Sequence, residues 1–253
     1  MSIDLNADLG EVLDAVPTDD AGLVEVVTSA NVACGFHSGD AVTMANACAL
    51  CIGQDVVIGA QVSYRDRQGF GRRFLDVEPA VLTADVLEQL ETLDEIAHDV
   101  GGRVSYVKPH GALYNAIAHH EAQAAAVVAA VLEYDGRLPV LGLPGSRLLT
   151  LAERAGLRTV REAFADRGYA ADGTLVARGE PGAVLTDLRV VVQRCVRLAT
   201  AGEVVAVDGT VLRVDPDSIC LHGDTPGAVS LAHAVRSALT AAGVELAPFV
   251  RLR

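Results

Sequence analysis

The stretch Val104-Ser105-Tyr106-Val107-Lys108-Pro109-His110-Gly111 decides the fold class, because an apolar run of strand length ends directly in ionisable and turn-forming residues. β-Branched and aromatic residues favour a strand over 104–107, and Pro109 and Gly111 favour its end. Lys108 is the only lysine among 20 basic residues. Its ammonium is a compact charge whose pKa responds to burial, so arginine is no substitute for it. The stretch predicts a strand that delivers chemistry at its carboxyl end.

The same pattern recurs along the chain, where short β-prone runs alternate with segments of helical periodicity. Such alternation is typical of a parallel sheet wrapped by helices. The clearest helix follows Thr83, with one apolar stripe formed by Val86, Leu90, Leu93 and Ala97. A hairpin is predicted from 205–207 and 211–214. Seven strands are predicted, at 3–5, 31–34, 56–60, 104–107, 138–143, 159–164 and 218–221.

Polar clusters follow most of these strands. In a closed barrel the carboxyl ends of all strands meet at one rim, whereas an open doubly wound sheet gathers ligands only at a switch point. We therefore predict an irregular, TIM-like α/β barrel of seven units, formed by residues 1–253 as a single domain. The clusters are Asn6, Asp8 and Glu11; 35–40; 61–66; Lys108 and His110; 142–146; 162–167; and His222, Gly223 and Asp224.

Composition restricts the classes of function. The formal net charge of −13 opposes binding to nucleic acid or to an anionic membrane, because both require clustered cations. No apolar run reaches the roughly 18 residues of a spanning helix, and no basic segment precedes an apolar one at the N-terminus, so a cytoplasmic location is expected. The five cysteines are scattered and odd in number, which indicates reduced thiols. Cys48 and Cys51 lie in a predicted helix and lack a second pair for zinc.

Three histidines, His37, His110 and His222, each lie within two residues of a glycine at a strand exit. Neutral imidazole can transfer protons, bind a divalent metal, or do both, and spacing alone leaves these roles open. Asp8 and Glu11, with Glu162 and Asp166, are candidates for carboxylates that divide acid and base roles. Glu11 is equally suited to capping the first helix.

Two segments are candidates for binding phosphate. Gly145-Ser146 opens a helix directly after an apolar strand, where backbone N–H groups and the helix dipole favour an anion. Arg72 and Arg73 in a glycine-rich loop offer guanidinium groups to a phosphate or a carboxylate, although a solvated loop explains them equally well. No P-loop and no Gly-x-Gly-x-x-Gly after the first strand is present, which disfavours a conventional nucleotide fold.

Six segments, read together, resemble one known family. They are DLNADLGE (4–11), SANVACGFHSGD (29–40), VKPHGALYN (107–115), EAFADR (162–167), DGTLVAR (172–178) and CLHGD (220–224). They resemble the LamB/YcsF family, which includes the A subunits of bacterial 5-oxoprolinase. The resemblance spans almost the whole chain.

The resemblance implies a seven-unit barrel related to the glycoside hydrolase and deacetylase barrels. It further implies ATP-dependent ring opening of the lactam 5-oxoproline to L-glutamate, in a complex with separate subunits B and C, with ATP and accompanying Mg²⁺ as cofactors. With the strand-end chemistry, it makes Asp8, Lys108, His110 and His222 the expected catalytic residues. The expected substrate-binding residues are Asn6, Asn31, His37, Tyr64 and Glu162, and the expected phosphate-binding residues are Arg72, Arg73, Gly145 and Ser146.

One segment departs from the family pattern. The family usually reads Gly-Ala-His-Pro-Ser-Tyr-Pro-Asp, whereas this chain has Gln61 in place of the histidine within 59–66. Glutamine is a poor ligand for the transition metals that imidazole suits, so the departure puts a metal site in doubt. Two other functions stay open: a metal-dependent amidase or deacetylase that uses Asp8, His37 and His222, and a non-catalytic lactam- or sugar-binding subunit.

Overall fold

A computed structural model of the protein describes residues 1–13, 16–223 and 227–250. The strands are β1 (Ser2–Leu9), β2 (Val12–Leu13), β3 (Val16–Pro17), β4 (Ser29–Ala33), β5 (Val57–Val62), β6 (Tyr106–Pro109), β7 (Val140–Gly142), β8 (Thr159–Phe164), β9 (Glu203–Val205), β10 (Val211–Arg213), β11 (Ser218–Leu221) and β12 (Glu245–Leu246). The helices are α1 (Asp20–Val24), α2 (Ala41–Gly53), α3 (Pro79–Asp99), α4 (Gly111–Ala116), α5 (Glu121–Asp135), α6 (Arg147–Arg154), α7 (Leu188–Ala201) and α8 (Ala228–Ala241).

Seven parallel strands close into a barrel. Their order around it is β1-β4-β5-β6-β7-β8-β11, and β11 pairs back onto β1, with Asp4 opposite Ser218 and Ala7 opposite Leu221. The short strand β12 adds to the amino end of β1. The predicted seven-unit TIM-like barrel is confirmed.

The first strand is longer than the sequence predicted, because Asn6 and Asp8 belong to β1 rather than to the loop after it. Their side chains alternate with Leu5, Ala7 and Leu9, which are buried in the apolar core. The polar side chains point instead into the barrel, where they bond to residues of distant strands. Polar residues therefore extend this strand instead of ending it.

One glycine makes room for an aromatic ring inside the barrel. A Cβ at Gly59 on β5 would lie 2.2 Å from the Tyr106 ring on the neighbouring strand β6. The space lets the buried Tyr106 hydroxyl reach across and donate to Asn31 Oδ1 at 2.7 Å. Any larger residue at Gly59 would displace that ring.

The predicted helix after Thr83 is confirmed as α3, whose buried stripe includes Val86, Leu90, Leu93 and Ala97. It begins at Pro79, four residues before Thr83, because Pro79 occupies its first turn and the Glu78 carboxylate accepts from the Ala80 amide. The predicted hairpin is also present, as β9 and β10. Its first strand lies earlier than predicted, because residues 206–210 form the turn.

The five cysteines are free and buried. Burial raises the pKa of Cys48 to about 12, and it also raises the pKa of Cys51. Both thiols therefore stay protonated at neutral pH, which disfavours a redox pair. Within the described ranges, no helix combines the length and the apolar character that crossing a membrane requires.

Candidate active site

A buried polar network fills the carboxyl half of the barrel, with the Lys108 ammonium at its centre. Lys108 Nζ lies 2.9 Å from Glu162 Oε1, 3.2 Å from Asp8 Oδ1 and 3.1 Å from Cys220 Sγ. It also donates to Asn6 Oδ1 at 3.2 Å. These residues come from β1, β6, β8 and β11, so only barrel closure brings them together.

Two asparagines connect the carboxylates of this network. Asn6 Nδ2 donates to Glu162 Oε1 at 3.0 Å and to Ser218 Oγ at 2.8 Å. Asn31 Nδ2 donates to Asn6 Oδ1 at 2.7 Å and to Asp8 Oδ1 at 2.8 Å. The predicted substrate-binding residues Asn6, Asn31 and Glu162 thus hold the buried charges in place.

Charge pairing sets the protonation states of the network. Burial alone would lower the pKa of Lys108, but the Asp8 and Glu162 carboxylates hold that pKa well above its usual value. Burial alone would raise the pKa of Asp8, but Lys108 and His222 hold it well below its usual value. Lys108 is therefore an ammonium ion and Asp8 a carboxylate at neutral pH.

A second cluster lies at the rim and consists of Glu11, His37, Gln61 and His110. His37 and His110 stack with ring centroids 4.0 Å apart and planes 15° apart. His37 Nε2 lies 3.3 Å from Glu11 Oε1, and its Nδ1 lies 2.9 Å from Ser63 Oγ. Glu11 therefore joins this cluster and does not cap the first helix, whose cap is Asp19.

Gln61 links the members of this cluster. Its Nε2 donates to Glu11 Oε1 at 3.1 Å and lies 2.9 Å from His110 Nδ1. His110 Nε2 lies 3.1 Å from the Phe70 carbonyl oxygen, an acceptor. The network therefore places the His110 proton on Nε2, so Nδ1 accepts from Gln61. Burial and the adjacent His37 lower the pKa of His110 well below its usual range, so the ring is neutral.

The loop after β5 closes against these two rings. Gly71 has φ +65°, and a Cβ there would lie 2.9 Å from His37 Cβ and 3.0 Å from His110 Cδ2. Only glycine combines this backbone conformation with so close an approach. The loop carries Arg72 to the rim as a result.

His222 forms a separate pair with Asp166. Its Nδ1 lies 2.6 Å from Asp166 Oδ1, and its ring stacks on Phe164 with centroids 5.6 Å apart. Burial alone would lower the pKa of His222, but Asp166 outweighs it and raises that pKa. The pair lowers the pKa of Asp166 in turn, despite its burial. His222 is thus biased toward its protonated form.

Side chains from all three groups, among them Lys108, Glu11 and His222, line a cavity of about 490 Å³ at the carboxyl rim. All four predicted catalytic residues line it. Tyr114 and Phe164 contribute aromatic surface, edge to face with centroids 5.5 Å apart. The charged and aromatic residues in its lining include Asp8, Glu11, Arg72, Lys108, His110, Tyr114, Phe164, Arg167, Arg178 and His222.

Eight of the predicted site residues are not among the residues that line this cavity. Asn6, Asn31 and Glu162 belong to the buried network and His37 to the rim cluster, and the other four have contacts elsewhere. The Tyr64 hydroxyl donates to Gln123 on α5. Arg73 Nε donates to Asp66 Oδ1 at 3.0 Å and to Oδ2 at 3.1 Å. Ser146 caps α6 by accepting from the Leu149 amide, and Gly145 precedes it. Among the described lining residues, Arg72 is the one predicted phosphate ligand. Asp224 lies outside the described residues.

Several lining residues were not among the predicted site residues, although a signal for them was present. Tyr114, Arg167 and Arg178 lie in segments that carry the family resemblance. Gln61, which belongs to the rim cluster, was notable in the sequence only because it departs from the family pattern. A second, larger groove of about 1140 Å³ lies at the amino ends of β5, β6 and β7, and no predicted site residue lines it.

Two groups of side chains bring potential metal ligands within 4.8 Å of one another: Asp8, Cys220 and His222, and Glu11, His37 and His110. Neither fits a resident metal ion as arranged. The Lys108 ammonium already occupies the cation position between Asp8 and Cys220. In the second group, the Gln61 amide donates to the Glu11 and His110 lone pairs that a metal would need.

The whole chain matches a known family. A sequence profile of the LamB/YcsF family matches residues 3–253. The chain belongs to the LamB/YcsF family. This confirms the resemblance inferred from the strand-end segments, two of which contribute Asp8 and Lys108 to the buried network.

Relatives in the LamB/YcsF family cover nearly the full chain. The A subunit of 5-oxoprolinase from Streptomyces avermitilis is 60% identical over 248 residues, which are 98% of this chain and 99% of that protein. The protein of the same name from Kocuria rhizophila is 54% identical over 98% of each chain. The relatives' name implies a complex built from several different chains.

Two solved structures share the fold of this chain to different degrees. The lactam utilization protein from Thermus thermophilus superposes with a TM-score of 0.92 at 40% identity, covering 98% of this chain and 100% of that one. A peptidoglycan N-acetylglucosamine deacetylase superposes with a TM-score of 0.50 at 10% identity, covering 98% and 86%. The second likeness shows a shared barrel fold.

Proposed function

We propose that the protein is the A subunit of an ATP-dependent 5-oxoprolinase, which opens the lactam ring of 5-oxoproline to give L-glutamate. The observation that carries this proposal is the cavity at the barrel rim, where Asp8, Lys108 and His222 meet. Its volume of about 490 Å³ is within the range of small-molecule sites. The names of the relatives from Streptomyces avermitilis and Kocuria rhizophila support the substrate class.

The chemistry explains the need for ATP. A five-membered lactam is a resonance-stabilised amide with little ring strain, so attack by water is slow. Transfer of the γ-phosphoryl group of ATP to the carbonyl oxygen yields ADP and makes the ring carbon electrophilic. Water then adds to that carbon, the carbon–nitrogen bond breaks, and the nitrogen takes a proton. A second water hydrolyses the resulting acyl phosphate to glutamate and phosphate.

His222 and Asp8 are the groups we assign to proton transfer. Their pKa values are shifted in opposite directions, up for His222 and down for Asp8, which is the pattern of a divided acid and base. Protonated His222, oriented by Asp166 and Phe164, delivers the proton to the departing ring nitrogen. The Asp8 carboxylate accepts a hydrogen bond from the attacking water.

Lys108 supplies positive charge where negative charge develops on oxygen. Its three protons already have four acceptors within 3.2 Å, namely Asn6, Asp8, Glu162 and Cys220. A substrate oxygen therefore has to displace one of them. The Cys220 sulfur is the weakest acceptor and is the one we expect to be displaced.

His110 takes a positioning role in this proposal. Both of its ring nitrogens have partners, Gln61 and the Phe70 carbonyl, and its pKa is lowered. It therefore holds the loop that carries Arg72 over the cavity. His37 supports it by stacking from within the rim cluster.

The test is to assay loss of 5-oxoproline by the isolated chain and by the chain assembled with subunits B and C, each with and without ATP. We expect glutamate release only from the assembly with ATP. Chelator-sensitive activity of the isolated chain without ATP would instead indicate a metal-dependent amidase. Binding of 5-oxoproline without any turnover in the assembly would indicate a binding subunit.

One variant and one control test the role of His222 within the assembly. His222→Gln is expected to lower kcat by a factor of about 10² to 10⁴, the range for loss of a general acid. Arg154→Gln, on the exposed last turn of α6, removes a charge outside the cavity and should leave kcat unchanged. Equal activity of His222→Gln and the native assembly would remove His222 from the mechanism.

A further inference from the structure

Three arginines line the cavity in a chain that is otherwise strongly acidic. Arg72 comes from the loop after β5, whereas Arg167 and Arg178 come from the long segment after β8. Arg167 is buried, Arg72 is half-buried and Arg178 is exposed. The three arginines that line the cavity thus range from buried to exposed.

Arg167 is the informative member of this arginine wall (Arg72, Arg167 and Arg178). It is only 5% exposed. Its Nε donates to the Ala183 carbonyl at 3.1 Å and its NH2 group to the Val176 carbonyl at 2.7 Å, so the hydrogen bonds that the described residues give it end on neutral oxygens. A carbonyl solvates a guanidinium group but does not neutralise it. A buried charge whose hydrogen bonds end on neutral oxygens is costly, which favours a ligand that brings a negative charge to it.

The surroundings increase the need for an anion. The adjacent carboxylate, Asp166, is engaged by His222 at 2.6 Å. Burial lowers the pKa of Arg167, the nearby charge of Arg178 lowers it further, and the opposing charge of Asp166 does not offset the two.

We propose that Arg167, flanked by Arg72 and Arg178, binds the carboxylate of the lactam substrate and thereby selects acidic lactams over neutral ones. This inference rests on the proposed function. The planar guanidinium fork matches a carboxylate in two-point contact. With the carboxylate held at the arginine wall, the lactam ring extends toward Lys108 and Asp8 deeper in the cavity.

A phosphate group of ATP is the other anion of matching chemistry, so the experiment has to separate the two sources. The assembly with subunits B and C is assayed for its KM for 5-oxoproline, its KM for ATP and the inhibition constant of 2-pyrrolidinone. The last compound is the same ring without the carboxylate. The variants are Arg167→Gln and Arg178→Gln, and Arg154→Gln is the charge-matched control.

We expect both wall variants to raise the KM for 5-oxoproline by about 10- to 100-fold, the range for losing a charge-assisted hydrogen bond. The inhibition constant of 2-pyrrolidinone and the KM for ATP should change less than twofold. If Arg167→Gln does not fold, as judged by circular dichroism, Arg178→Gln still tests the proposal, because Arg178 is exposed.

Other results would overturn the inference in identifiable ways. Equal weakening of 5-oxoproline and 2-pyrrolidinone, or no weakening of either, would remove the carboxylate from the arginine wall while the proposed function stands. A raised KM for ATP alone would assign the wall to phosphate. No turnover of 5-oxoproline by the native assembly would instead refute the proposed function and, with it, this inference.

Discussion

Replacement of Lys108 by methionine tests the buried charge network most severely. Lys108 Nζ lies 2.9 Å from Glu162 and 3.2 Å from Asp8, and all three side chains are buried. Methionine fills a similar volume without the charge. The change leaves two carboxylates facing each other in the barrel, and breaking a buried pair in this way costs about 3 to 5 kcal/mol.

The pKa of Asp8 determines how the loss of unfolding free energy should depend on pH. In the native protein the pKa of Asp8 lies below its unfolded value, so Asp8 contributes stability above about pH 4 that is lost as the pH falls. Without Lys108, burial dominates and raises the pKa of Asp8 above its unfolded value. The variant therefore loses most stability at neutral pH and recovers part of it as the pH falls through the raised pKa.

The assay is urea unfolding of the native protein, Lys108→Met and the control Arg154→Gln at pH 7.5 and 5.5. We expect Lys108→Met to lose about 3 to 5 kcal/mol of unfolding free energy at pH 7.5 and clearly less at pH 5.5. The control should stay within about 0.5 kcal/mol of the native protein. A Lys108→Met deficit that is absent, or that is the same at both pH values, would refute the network as described.

Three further predictions concern individual contacts. Gln61→His should create a site for Co²⁺, because it replaces the amide between Glu11 and His110 by an imidazole. Binding is measured by the visible absorption of the bound Co²⁺, and equal binding by the native protein would contradict this prediction. Asp166→Asn should lower the pKa of His222 in an NMR titration, since Asp166 is what raises it, and an unchanged value would show that the pair does not form. Asp4→Asn should flatten the pH dependence of stability between pH 4 and 6, because burial raises the pKa of Asp4 to about 6. The protonated Asp4 side chain therefore stabilises the fold below its unfolded pKa, and this stabilisation is lost as the pH rises. The loss is roughly 3 kcal/mol, at about 1.4 kcal/mol per pKa unit. A native-like slope in that variant would contradict the assignment.

The seven-unit barrel was predictable because each strand ends in glycine or a polar cluster, and those breaks are local in sequence. The ends of the strands were less predictable. Asn6 and Asp8 read as loop residues, because a polar residue normally leaves a buried strand. They are tolerated on β1 since Asn31, Lys108 and Glu162 satisfy them from other strands.

The candidate site was predictable only in part, for a similar reason. Asp8, Lys108, His110 and His222 reach the cavity because they lie at or just after strand ends. Arg73 and Ser146 have the same kind of placement. Local partners hold them elsewhere, Asp66 for Arg73 and the α6 amides for Ser146. Which way a loop side chain turns depends on such competing contacts, and strand position alone does not determine it.

The arginine wall was predictable only in part. Arg167 belongs to the polar cluster 162–167, which was predicted to lie at the rim, whereas Arg178 lies farther along the long segment with little regular structure between β8 and α7. Nothing in the periodicity of that segment places it over the barrel mouth. Its path depends on contacts distant in sequence, such as the bond from Arg167 to the Ala183 carbonyl.

A crystal structure with bound 5-oxoproline tests the central claim most directly. The account predicts the lactam in the cavity at the carboxyl rim, with its lactam carbonyl oxygen near Lys108 and its carboxylate on Arg167. Density for the ligand in the groove at the amino ends of β5, β6 and β7, among Arg103, Arg137 and Arg158, would contradict it.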